Sequence, residues 1–222
     1  MGRALVAITQ AIKDVVFGRL TFLALINLVL ASAATGAAAL ALIRYLIPLI
    51  PEGEGWLGFA FNASEVALSV GAAVLAVAIS PAVSMLIGGM LFDFAAERVE
   101  KAIGAPPARK ASLLEGLGNG VRIAIPALLL NLLCAPLYLI PGVNAVVFYT
   151  LNGYLMGREY STLAGMRRMP FGDAKRLRRR ARFSVFMTGL ACSVIPFVAP
   201  LVAASAMTRL VDKLIRDQTR RA

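Results

Sequence analysis

Four stretches of this chain carry no charged residue at all: Leu20 to Ile43, Val66 to Phe92, Ile123 to Gly157 and Phe183 to Thr208, of 24, 27, 35 and 26 residues. About 20 apolar residues suffice to cross the hydrocarbon core of a bilayer as a helix. A soluble domain of 222 residues does not carry four such runs, and 59% hydrophobic against 16% charged residues agrees with that. The chain reads as an all-α integral membrane protein with one membrane domain, preceded at 1–19 by an amphipathic interfacial helix and followed at 209–222 by a basic tail. In the N-terminal helix, Leu5, Ile8, Ile12, Val15 and Val16 recur at helical spacing, while Gln10, Lys13 and Asp14 fall largely elsewhere.

The basic start and the small residues from Ala31 imitate a secretory signal, but the apolar run continues to Ile43, so the first segment is read as retained. Cys134 and Cys192 lie inside apolar runs without metal or redox spacing and are expected to serve as small packing residues. The chain has no histidine, which removes the commonest metal ligand and general base. No cofactor and no enzymatic activity are expected.

Lysine and arginine are distributed unevenly. Three precede Leu20, one lies in the connection 44–65, five in 93–122, nine in 158–182 and five follow Thr208. The 44–65 connection, with PEGEGW at 51–56 and Trp56 as an interface anchor, also holds three acids. By the positive-inside rule that loop is outside, and every other connection and both termini are cytoplasmic. This gives spanning helices over 20–43 and 66–103. The second is kinked at Pro81 and extended beyond the bilayer by FDFAAERVEKAI, where Glu97 and Lys101 form an i to i+4 pair, before Gly104, Pro106 and Pro107 close it.

Runs three and four must then enter and return on one side, since a single crossing of each would leave the nine bases of 158–182 outside. Each is broken by proline near its middle, at Pro141 and Pro196. Run four has only about 18 to 20 Å of helix per arm against a core of about 30 Å, so 183–208 is expected to be a re-entrant hairpin. The longer arms of 123–157 fit either a deeper hairpin or two short tilted spans. Broken backbone at membrane depth needs burial in protein or a wet cavity. A hydrated cavity, a homo-oligomer, or both are therefore expected.

The block NGYLMGREYSTLAGMRRM from Asn152, the following AKRLRRRAR, and SPAVSMLIGGMLFDFAAERVEK from Ser80 resemble the CysZ sulfate permease family, also called etoposide-induced 2.4-like membrane proteins. Asn152, Gly153, Tyr154, Gly157, Arg158, Glu159 and Tyr160 carry the most specific part, and the resemblance covers residues 5 to 215. It implies two spanning helices, two partly penetrating hairpins, an oligomer in the bacterial inner membrane, and sulfate uptake. One element departs. Where the family has Gly-Leu or Gly-Trp followed by proline and paired arginines, this chain reads AIKDVVFGRL, with a single Arg19 and no proline.

Candidate anion-binding residues follow from both readings. Arg158 and Glu159 stand at the end of run three and suit an ion path, or else a structural ion pair or a snorkelling arginine. Asn27, Asn131, Asn144 and Asn152 suit a hydrated path through their amide donors, or else helix-to-helix hydrogen bonds. Arg19 adds a guanidinium, and freed amides after Pro141 and Pro196 add donors at depth. Arg178, Arg179 and Arg180 in KRLRRRAR are expected to meet anionic lipid rather than nucleic acid, at about 1 kcal/mol each. GLGNG at 116–120 reads as a flexible lead into run three. The reading that results is an inorganic anion permease, sulfate first. The alternative is a non-transporting membrane scaffold or envelope factor.

Overall fold

The computed structural model describes residues 2–46, 91–110, 112–134, 136–137, 140, 142–195 and 198–220. The connection with Trp56, the stretch 66–90 with Pro81, and Pro141 and Pro196 lie outside the described residues. Helices α1 (Gly2–Val16), α2 (Thr21–Leu46), α3 (91–102), α4 (Leu113–Cys134), α5 (Val143–Met166), α6 (Phe171–Arg180), α7 (Arg182–Ser193) and α8 (Ala199–Thr219) make up the fold, and there is no strand among the described residues.

The helix boundaries have local causes. Leu20 closes α1 by donating its N–H to the Asp14 carbonyl at 2.9 Å, and the chain turns there by 75° into α2. Helix α3 ends in a Schellman cap: Gly104 takes φ +61°, Ala105 N–H reaches the Glu100 carbonyl at 2.9 Å, and Gly104 N–H reaches that of Lys101. One turn earlier Lys101 and Glu97 pair at 2.6 Å, as their spacing requires. Helix α4 starts ten residues before the third apolar run and passes through GLGNG, contrary to the reading of that string as a flexible lead. Ser112 Oγ accepts the Glu115 N–H at 3.2 Å, the first half of an S-x-x-E capping box that secures the helix start despite three glycines.

Buried side chains concentrate on α8, whose residues from Ala199 to Thr208 are buried throughout, with Leu201, Val202, Met207 and Leu210 among the largest. Helices α5, α7 and α1 pack around it. Its small residues Ala203, Ala204, Ser205 and Ala206 allow this approach, and α1 answers with Ala7 and Ala11. The acid Asp14 also turns inward. Its Oδ2 accepts Ser205 Oγ at 2.9 Å and Arg209 Nη2 at 2.5 Å, while Arg209 Nη1 donates to Gln10 at 3.2 Å. Of the periodic apolar residues of α1, Leu5, Ile12 and Val16 stay exposed, Ile8 is half-buried, and Val15 turns into the core.

The tightest contact lies between α5 and α7. A Cβ on Gly189 would stand 2.1 Å from the Gly153 carbonyl oxygen and 2.6 Å from the Gly157 nitrogen. One on Gly153 would stand 2.7 Å from the Leu190 Cα, and one on Gly157 2.7 Å from the Val185 carbonyl oxygen. The two backbones touch, which only residues without side chains permit; this is the small-xxx-small mode of membrane helix association. Phe92 brings α3 onto the same helix, edge to face with Tyr160 at 5.7 Å.

By length and composition, Leu114–Cys134 can cross a membrane, and the bent pair Leu5–Val16 and Thr21–Ala34 would make a second candidate if it is one span. Helix α7, of 12 residues, reaches about 18 Å and cannot cross. Gly189→Ala and Gly157→Ala should each lower the thermal midpoint of the purified protein, although alanine favours a helix over glycine by about 1 kcal/mol. Gly120→Ala, with no atom within 4 Å of its Cβ, should raise the midpoint or leave it unchanged. A Gly189→Ala protein as stable as wild type would show that α5 and α7 do not cross at this distance.

Candidate functional site

Where α5 leaves the apolar run, Gly157 lies against the backbone of Val185 in the first turns of α7. The residue after it is Arg158, and the residue opening α7 is Arg182. Helix α6 returns from the far end of α5 and adds Arg178 and Arg179. The four arginines line a cavity of about 510 Å³ together with Tyr154, Phe183, Val185 and Phe186. Arg158 Nη1 donates to the Ile123 carbonyl at 3.1 Å, which joins α5 to α4 at the same level. Helix α7 opens there without a side-chain cap.

None of the four arginines forms an ion pair among the described residues, although the neighbouring Glu159 feels the charge of Arg158. Burial, and then repulsion from Arg158 and Arg179, hold the Arg178 guanidinium below the usual arginine range. Arg167, in the last turns of the same region, behaves in the opposite way. Burial works against its charge too, but Glu100 and Asp93 outweigh that and raise its pKa. Arg167 holds Glu100 by two bonds of 3.0 and 2.7 Å and Asp93 by one of 2.6 Å, and Arg168 reaches Glu100 at 3.3 Å.

A second cavity of about 700 Å³ includes Arg109, Arg167, Arg168, Asp212, Arg216 and Arg220 in its wall. Its arginines are largely spoken for, by Glu115, by Glu100 and Asp93, and by Asp212. Arginine count alone would favour the second cavity, which has five against four. In the first, none of the arginines is held by a carboxylate among the described residues, so an anion can take up all of their donors without displacing one.

Of the residues proposed from sequence, Arg158 lies in the cavity, and Glu159 sits half-buried beside it on α5 without lining it. The asparagines bond within their own segments: Asn131 Nδ2 to the Ala127 carbonyl at 3.0 Å, Asn152 Nδ2 to that of Phe148 at 2.9 Å, and Asn144 Oδ1 from the Ala145 N–H at 2.7 Å. Asn27 is buried in α2. Arg19 lies exposed in the α1–α2 bend, where its carbonyl accepts Arg98 Nη1 at 3.0 Å. At the start of α8, Pro200 removes one of the amides proposed as donors after Pro196. Arg178 and Arg179, read as lipid anchors, line the cavity, while Arg180 is exposed outside it. Arg182 was not singled out from sequence. Its signal was available, because it is the last charge before run four as Arg158 is the first after run three.

The family model described as sulfate transporter CysZ/etoposide-induced protein 2.4 matches residues 7–204. No curated protein and no solved structure matches the chain.

The two kinds of arginine should respond oppositely to removal. Arg167→Gln leaves the buried Glu100 short of its main partner and should cost about 3 kcal/mol. Arg182→Gln removes an exposed charge that has no carboxylate partner among the described residues, so unfolding in detergent should occur at the same or a higher midpoint. A loss as large as that of Arg167→Gln would show that Arg182 has a structural ion pair.

Proposed function

Because the chain belongs to the sulfate transporter CysZ/etoposide-induced protein 2.4 family, we propose that it is an inner-membrane permease for an inorganic oxyanion, sulfate above all, with the cavity at Arg158 as its cytoplasmic station. The observation that carries this reading is the cluster of four unpaired arginines at one cavity. A tetrahedral dianion gives up its hydration shell only for strong donors, and charge-assisted hydrogen bonds are about twice as strong as neutral ones. The arginine fork meets two oxygens at once, while lysine offers a point charge.

The position of the cluster supports the same reading. Arg158 is the first charge after the run 123–157, and Arg182 the last before 183–208. An anion emerging between the two apolar hairpins would meet these guanidinium groups as it leaves the hydrocarbon layer. In this topology both termini and the segment 158–182 face the cytoplasm, and α4, with Leu128, Leu132 and Leu133 exposed, meets lipid.

Radiolabelled sulfate flux into liposomes holding only this protein tests the proposal. Wild type should carry sulfate above protein-free vesicles, Arg158→Lys should retain part of the flux, and Arg158→Gln should lose about tenfold or more, the weight of one charge-assisted bond. Absence of flux from correctly assembled wild type would favour the scaffold reading and remove the permease one.

A further inference from the structure

The arginine cavity has a second character that an inorganic anion does not use. Half of the residues lining it are apolar or aromatic: Tyr154, Phe183, Val185 and Phe186. Two of these, Phe183 and Tyr154, are 62% and 46% exposed at its rim. Aromatic rings of this kind collect at the membrane–water interface. The arginines beside them mark the same level, since both flanking apolar runs end there. A wall that is cationic on one side and aromatic on the other, at the boundary of the hydrocarbon layer, matches a molecule with an oxyanion joined to an apolar body. A bare tetrahedral ion would leave the aromatic half empty.

We propose that this cavity binds the phosphodiester of an anionic phospholipid. The phosphate meets the guanidinium groups of Arg158, Arg178, Arg179 and Arg182, and the glycerol and first acyl carbons lie on Phe183, Phe186 and Tyr154. This differs from diffuse attraction of KRLRRRAR to the inner leaflet, in which each exposed base contributes alike. Here Arg178 and Arg179 matter and Arg180 does not. The lipid assignment stands on the cavity alone. Competition of the lipid with a transported anion for the same guanidinium groups rests on the transport reading.

Native mass spectrometry of the full chain, purified with phosphatidylglycerol, tests the site. Wild type should retain the lipid, Arg178→Gln and Arg179→Gln should lower its retention about tenfold each, and Phe183→Ala should lower it as well. Arg180→Gln removes the same charge from the same helix outside the cavity and should retain the lipid as wild type does. Equal loss in Arg178→Gln and Arg180→Gln, or no loss in any variant, would overturn the site. Displacement of phosphatidylglycerol by millimolar inorganic phosphate would reassign the cavity to a free anion. Retention is read without flux, so a chain that carries sulfate but retains no lipid refutes this inference and leaves the transport reading in place.

Discussion

Gly189 of α7 rests on the backbone of α5 between Gly153 and Gly157, and the arginine cavity beside it depends on that contact. Lipid surrounds a helix with apolar surface as good as any neighbour, so membrane helices associate through close packing of small residues. The three glycines give up about 1 kcal/mol each in helix propensity, and in exchange two backbones touch. That contact fixes the register of α5 against α7. It places the end of one apolar run beside the start of the other, and brings Arg158 and Arg182 to one cavity.

Like charges do not gather at such a place without opposition. Elsewhere in the molecule the opposition is removed by carboxylates: Glu100 and Asp93 hold Arg167, and Asp14 holds Arg209 at 2.5 Å. These pairs fasten α5 to α3 and α8 to α1, so the surroundings of the glycine crossing are rigid where the ions are neutralised. At the cavity itself no carboxylate pairs with the arginines among the described residues. A fold that pairs Arg167, Arg168 and Arg209 with carboxylates and leaves these without one has donors available for a ligand that comes and goes.

Part of this was legible in the sequence. The i to i+4 spacing of Glu97 and Lys101 and the glycine at 104 gave the end of α3, and Cys192 is the fully buried packing residue its setting suggested. Arg158 stood out because it ends an apolar run. Its convergence with Arg178, Arg179 and Arg182 was not legible, because it follows from a crossing between helices that are far apart along the chain. Asp14 reads as part of a polar face until Arg209, 195 residues later, is placed against it. The asparagines are ambiguous for a different reason. An amide in an apolar run demands a partner, but pattern cannot tell a distant ligand from a carbonyl of the same segment, which is what Asn131 and Asn152 use.

The central claim is that the glycine crossing assembles an unpaired arginine cavity able to hold an oxyanion. It is tested most directly by equilibrium binding of radiolabelled sulfate to the purified chain at constant ionic strength. Saturable binding to wild type, lost in Arg158→Gln and in Gly157→Ala alike, is the result the account predicts. Saturable binding that survives both substitutions would contradict it.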